Sequence, residues 1–133
     1  MGSRKKHRDG DRPAIEYADG ERHWFVNGKR HRDNNDLPAI EVASGDRHWW
    51  WVHGELHRDN DRPAIEVANG DREWYVRGDR HRDNDLPAIE KANGDRFWYF
   101  QGKLHRENDQ PAIECANGGR EWYFNGAKRA TVY

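Results

Sequence analysis

A period close to 24 residues governs this chain. His7-Arg8-Asp9 returns as His31-Arg32-Asp33, His57-Arg58-Asp59 and His81-Arg82-Asp83, then as His105-Arg106-Glu107, at spacings of 24, 26, 24 and 24. Pro-Ala-Ile-Glu recurs at 13–16, 38–41, 63–66, 87–90 and 111–114, and seven residues after each proline stands Gly20, Gly45, Gly70, Gly94 or Gly118. A tryptophan and a further glycine close each unit. Five units of the form H-R-D-x-D-x-P-A-I-E-x-A-N-G-D-R-x-W-Y-V-x-G-x-x fill residues 7–128 as a single repeat domain. Residues 1–6 form a tail before them, and 129–133 depart from the pattern and read as a C-terminal cap. A unit this short cannot bury an apolar face alone, so its neighbours must complete the core.

The unit reads as β-structure. Asp19-Gly20, Asn69-Gly70 and Asn27-Gly28 are two-residue hairpin signals, because type I′ turns need positive φ at both central positions. Proline opening Ala-Ile-Glu suits a first strand position, where its missing N–H costs least. No segment shows a 3.6-residue apolar period. The expectation is three strands per unit, at about 13–18, 21–26 and 29–33 in the first. Two-residue turns would set Glu16 against His23, Ile15 against Trp24 and Trp24 against His31. Ile15, Arg22, Trp24, Val26, His31 and Asp33 would then share one face, and Ala14, Glu16, Ala18, His23, Phe25 and Arg32 the other. In the third unit the same register groups Ile65, Trp74 and His81. Arg22 with Asp33, Arg72 with Asp83 and Glu16 with Arg32 are the expected ion pairs. The whole is expected to be all-β: five 24-residue repeats in an elongated, twisted antiparallel meander. A β-solenoid is the alternative.

Composition now has a meaning. Leu, Ile, Val and Phe number 19 of 133 residues, few enough to suggest disorder in a chain of high net charge. Here 23 basic residues balance 24 acidic ones, and of seven tryptophans Trp24, Trp74, Trp98 and Trp122 recur in register. A net charge of -1 argues against a nucleic-acid partner. No run of 18 apolar residues could span a membrane, and no signal peptide is expected, which points to the cytoplasm. The single cysteine, Cys115, excludes a disulfide framework and a cysteine-based zinc site.

The pattern resembles the MORN-type repeats, in the divergent class whose units read P-A-I-E-x-A-N-G-D-x-x-W-Y-x-N-G-K-x-H-R. Ala-Asn-Gly-Asp at 68–71 and 92–95 and Trp-Tyr-Phe-Asn-Gly at 122–126 carry the likeness, which extends from His7 to Lys128. It implies hairpins stacked into an elongated open sheet. It is similar to repeats of bacteriophage and giant-virus proteins and of MORN-like bacterial antitoxins. The family implies no catalytic residues. Ordinary MORN units are shorter and Gly-Tyr-rich, so the lipid binding proposed for them is not carried over.

His-Arg-Asp matches the kinase catalytic-loop triplet, but the Gly-rich loop, strand lysine and D-F-G that a kinase needs are missing from the sequence. The repeated histidines would lie about 14 Å apart in a meander, too far to share a metal. No cofactor or metal is expected, and a repeat with no unique polar centre argues against an enzyme. Trp24, Trp74, Trp98 and Trp122 read as core. Phe25, Tyr75, Tyr99 and Tyr123 could line a recognition surface, with Arg32, Arg58, Arg82 and Arg106 as a periodic basic row. The second unit carries one extra residue near Asn34-Asn35 and another within Trp49-Trp50-Trp51. A residue added inside a strand makes a β-bulge, so Trp49, Trp50, Trp51 and His53 form the candidate hot spot, with drift in a surface loop as the alternative.

The reading that follows is a non-enzymatic module that binds a protein partner. The resemblance implies a viral setting, such as an inhibitor of a host defence protein in the host cytoplasm. Alternatives are a module for glycan or choline-type ligands and a structural virion component. Exposed edge strands could also pair two copies into a homo-oligomer.

Overall fold

The computed structural model of the chain describes residues 12–32, 36–42, 44 and 47–132. It is all-β, with one 11-stranded antiparallel sheet and four separate two-stranded hairpins. The sheet runs in chain order through Ile15–Glu16, Arg22–His23, Ile40–Glu41, Arg47–Trp49, Ile65–Val67, Arg72–Glu73, Ile89–Glu90, Arg96–Phe97, Ile113–Glu114, Arg120–Phe124 and Ala127–Val132. The hairpins pair Phe25–Val26 with Lys29–Arg30, Trp51–Val52 with Glu55–Leu56, Tyr75–Val76 with Asp79–Arg80, and Tyr99–Phe100 with Lys103–Leu104. The meander expectation therefore holds, and the sheet does not close into a barrel. In the first four units the expected second strand splits at Trp24, Trp50, Trp74 or Trp98. Its first half joins the sheet, where the next unit's Ile-Glu strand pairs with it, and its second half pairs with the third strand in the separate hairpin. In the last unit Arg120–Phe124 is whole and the third strand, Ala127–Val132, stays in the sheet.

The turn at Asn27-Gly28 is type I′ as expected, with φ of 52° and 82°. Those at Asp19-Gly20 and Asn69-Gly70 are not. In the first of them Gly20 donates to the Tyr17 carbonyl and Tyr17 to the Glu21 carbonyl, both at 2.9 Å, so the loop has three residues and its glycine alone takes positive φ. Asp19 Oδ1 accepts the Glu21 N–H at 2.9 Å and favours that geometry. One extra loop residue moves the register by one and flips the faces. Ile15 pairs with His23 and Glu16 with Arg22, where the sequence suggested Trp24 and His23. In the third unit Ile65 pairs with Glu73, not Trp74.

Two rows result. One face of the sheet carries Glu16, Arg22, Glu41, His48, Glu66, Arg72, Glu90, Arg96, Glu114 and Arg120, an almost strict alternation of charge. The other carries Ile15, His23, Ile40, Trp49, Ile65, Glu73, Ile89, Phe97 and Ile113. Tryptophans 24, 50, 74 and 98 are buried, as are Ala39, Ala64, Ala88 and Ala112 with no exposed surface. Each tryptophan N–H donates to the alanine carbonyl of the next unit, at 2.8 Å for Trp24 and Trp50 and 2.7 Å for Trp74 and Trp98. Small alanines admit the indoles, so the core lies between repeats.

The last strand is a cap built by mimicry. Arg120 pairs with Val132, Glu121 with Thr131 and Trp122 with Ala130, with a bulge before Tyr123. Arg129-Ala130-Thr131-Val132 thus occupies the place that Pro-Ala-Ile-Glu of a following unit takes elsewhere.

Candidate interaction surface

The His-Arg-Asp triplet clamps neighbouring units together. Arg82 stacks on Trp74 of the preceding unit with its guanidinium carbon 3.7 Å from the ring centroid. It donates forward to the Pro87 carbonyl at 3.1 Å and to Glu90 Oε2 at 3.2 Å. It donates backward to Asp61, from Nε to Oδ1 at 2.9 Å and from Nη2 to Oδ2 at 3.2 Å. Arg58 and Arg106 repeat the set, over Trp50 and Trp98 with Asp36 and Asp85. Arg32 stacks on Trp24 at 3.7 Å and pairs with Glu41 at 3.1 Å. The same aspartates accept the indole N–H of Trp50, Trp74 and Trp98 on their backbone carbonyls. Asp36, Asp61 and Asp85 do this at φ of 60°, 56° and 55°, a left-handed backbone that aspartate tolerates.

The histidine ties the hairpins together. Nδ1 of His31, His57, His81 and His105 accepts the N–H of His53, Arg77, Gln101 and Asn125 in the next hairpin turn, at 2.9–3.1 Å. Nε2 of His57, His81 and His105 contacts Asp59, Asp83 and Glu107 at 2.7–2.8 Å. An acceptor at Nδ1 puts the ring proton on Nε2, where it meets the carboxylate. No grouping of three metal-ligating side chains occurs among the described residues.

These contacts redefine the sequence candidates. The side chains of Arg32, Arg58, Arg82 and Arg106 are only 9–12% exposed and saturated with partners, so they present no basic row. Arg58, Arg82 and Arg106 each take a glutamate of their own unit and an aspartate of the preceding one, and Arg72 pairs with Glu90 at 3.0 Å, not with Asp83. Asp33 lies outside the described residues, as does the irregularity at Asn34-Asn35. Trp50 is core, the true counterpart of Trp24. Trp49 pairs with Ile40 and Ile65 and Trp51 with Leu56 in unbroken register, so no bulge forms there. The extra residue instead falls between the paired Glu41 and His48, which are separated by six residues where Glu16 and Arg22 are separated by five. His53 is exposed in its turn with its ring 4.4 Å from that of His31. Phe25 is buried, and Tyr75, Tyr99 and Tyr123 are half-buried. Arg80 lies over both Tyr75 and Tyr99, at 5.6 and 5.4 Å, which occupies the rings a quaternary ammonium ligand would need.

The surface left open is one the sequence did not single out. Val76, Phe100 and Phe124 are 38%, 47% and 41% exposed at equivalent hairpin positions. The rings of His81, Phe100, His105 and Phe124 follow one another with centroids 4.8, 6.0 and 4.5 Å apart. Asp59, Asp83 and Glu107 rim this row, with their side chains 80%, 75% and 69% exposed. Clefts of about 320, 270 and 250 Å3 open beside Val52, Val76 and Phe100. Val76 and Phe100 share the parity of Trp74 and Trp98, so period-2 reasoning buries them together. The sheet ends at Glu73 and Phe97, however, and the parity does not carry across the break.

No protein-family model matches the chain, and no curated protein matches it in sequence.

Proposed function

We propose that this chain is a non-enzymatic protein-binding module whose contact surface is the hairpin row Val76, Phe100 and Phe124 with its acidic rim. The observation that carries this reading is the exposure of Phe100 and Phe124, aligned through the rings of His81 and His105. Apolar side chains presented in series, beside clefts, are what an extended partner segment engages. With the clamp arginines buried, the exposed charge along the row is mainly acidic, Asp59, Asp83 and Glu107, with Arg129 over Phe124 at the capped end. The complementary partner therefore offers apolar and basic side chains. The MORN-type resemblance suggests a viral inhibitor of a host defence protein as the setting.

The test is quantitative capture from lysate of the source or host cells, comparing the native chain with the F100S/F124S variant. One protein recovered in near-equal amount by the native chain and lost with the variant supports the proposal, given an unchanged melting temperature. Recovery of the same set by both, or binding on a glycan array that the variant retains, overturns it.

A further inference from the structure

We propose a binding site for a guanidinium group, such as an arginine side chain of a protein partner, at the capped end of the array on Trp122. It adjoins the end of the hairpin row, whose Phe124 and Glu107 share the lining of its cavity, but its test does not depend on what that row binds. In the four units before it, an arginine covers the tryptophan face: Arg32 on Trp24, Arg58 on Trp50, Arg82 on Trp74 and Arg106 on Trp98, at 3.6–3.8 Å. In the last unit the chain turns at Asn125-Gly126 and runs straight into the cap strand Ala127–Val132, with no loop to carry such an arginine. Trp122 is accordingly half-exposed where its counterparts are buried. A cavity of about 550 Å3 opens over it, larger than the clefts beside the other units.

The rest of the clamp is in place. Trp122 donates its indole N–H to the Asp109 carbonyl at 3.1 Å, as Trp98 does to Asp85 at 3.0 Å. Asp109 has φ of 57°, against 55° for Asp85, so its backbone has the clamp geometry. In the earlier units that aspartate holds the stacked guanidinium. Asp109 lines the cavity and no described cation pairs with its side chain. The cap removes one ligand of the set, since Val132 stands where Glu114 would be matched. Arg129 also lines the cavity, 5.8 Å over Phe124, and is the native group able to compete for it. The site thus offers an aromatic face and one carboxylate, which suits a planar cation better than an ammonium.

Titration of the chain with Nα-acetylarginine amide, read on the Trp122 indole N–H resonance, tests this. The W122F variant assigns that resonance among the seven tryptophans. A saturable shift confined to Trp122 is expected, weakened about tenfold in D109N, weaker for the lysine analogue, and strengthened in R129A. Asparagine keeps the carbonyl that holds the indole and accepts positive φ, so D109N is expected to fold. The absence of a saturable shift overturns the proposal, as does equal affinity of the native chain and D109N.

Discussion

Arg82 lies flat on Trp74 of the preceding unit while its Nη1 reaches Glu90 of its own unit at 3.2 Å and its Nε reaches Asp61 of the preceding one at 2.9 Å. A single side chain thus fastens two repeats. The thin apolar content of the chain is enough because the indoles of Trp24, Trp50, Trp74 and Trp98 are each covered by a guanidinium, and the backbone of each tryptophan bonds to a fully buried alanine of the next unit.

Lysine cannot replace this arginine. It lacks the planar fork that serves Asp61 and Glu90 together and the flat face that covers Trp74. R82K is expected to destabilise the array by about 2–4 kcal/mol, less than a fully buried pair would lose because both carboxylates are partly exposed. Denaturant midpoints measure it, and a loss as small as that of an exposed R72K control would show that the clamp is decorative.

His81 is expected to act through its Nδ1 acceptor. H81A leaves the Gln101 N–H without its 3.1 Å partner and costs about 1–2 kcal/mol. Asparagine places an oxygen near the same point, so H81N is expected to recover part of the loss. Equal losses in the two variants would put the histidine's contribution elsewhere, in its packing against Phe100.

The hairpin turns hold unfavourable residues. Arg77 and Gln101 sit at φ of 51° and 49°, positions that Asn27 and Asn125 occupy in sister units. R77N and Q101N are each expected to stabilise the fold by about 0.5–1 kcal/mol, because asparagine tolerates the left-handed region. Thermal melts compare them with the native chain, and neutral or negative shifts would contradict the strain assignment.

Stability is expected to fall at both ends of the pH range. Partial burial of Asp36 works to raise its carboxyl, but hydrogen bonds from Arg58 and Arg62 outweigh it and hold the group below 3.8. The Ala92 N–H holds Asp71 below 3.8 as well. Depressed carboxylates stabilise above the unfolded value, and that contribution is lost as pH drops below about 3.8. Burial, reinforced by Glu73, raises the Tyr75 hydroxyl from 10.0 to about 12. The unfolded chain releases that proton first, so the Tyr75 contribution is present below pH 10 and lost between 10 and about 12. Melts across pH check both limbs; D36N is expected to flatten the acid limb and Y75F the alkaline one.

Much of this fold is legible in the sequence. The period, the turn at Asn27-Gly28 and the open meander follow from turn chemistry and strand propensity alone. The faces did not follow, because Asp-Gly and Asn-Gly each fit both a two-residue turn and a three-residue loop, and the bonds of the Asp19 and Asn69 side chains to the Glu21 and Asp71 N–H groups favour the second. The His-Arg-Asp clamp was hidden for a different reason. Its partners Asp61 and Trp74 belong to the unit before that of Arg82 and Glu90, and a motif read within one unit cannot show a contact made between units. The exposed Phe100 followed the parity of Trp98 in the sequence and departs from it where the sheet gives way to the hairpin.

The central claim is that the stability of the array is coupled across repeats through the clamp. A double-mutant cycle on R82M and D61N measures it directly, since asparagine retains both the Trp74-binding carbonyl and the backbone conformation. A coupling free energy of about 1–2 kcal/mol is the expected result. Additivity to within about 0.3 kcal/mol would contradict the account.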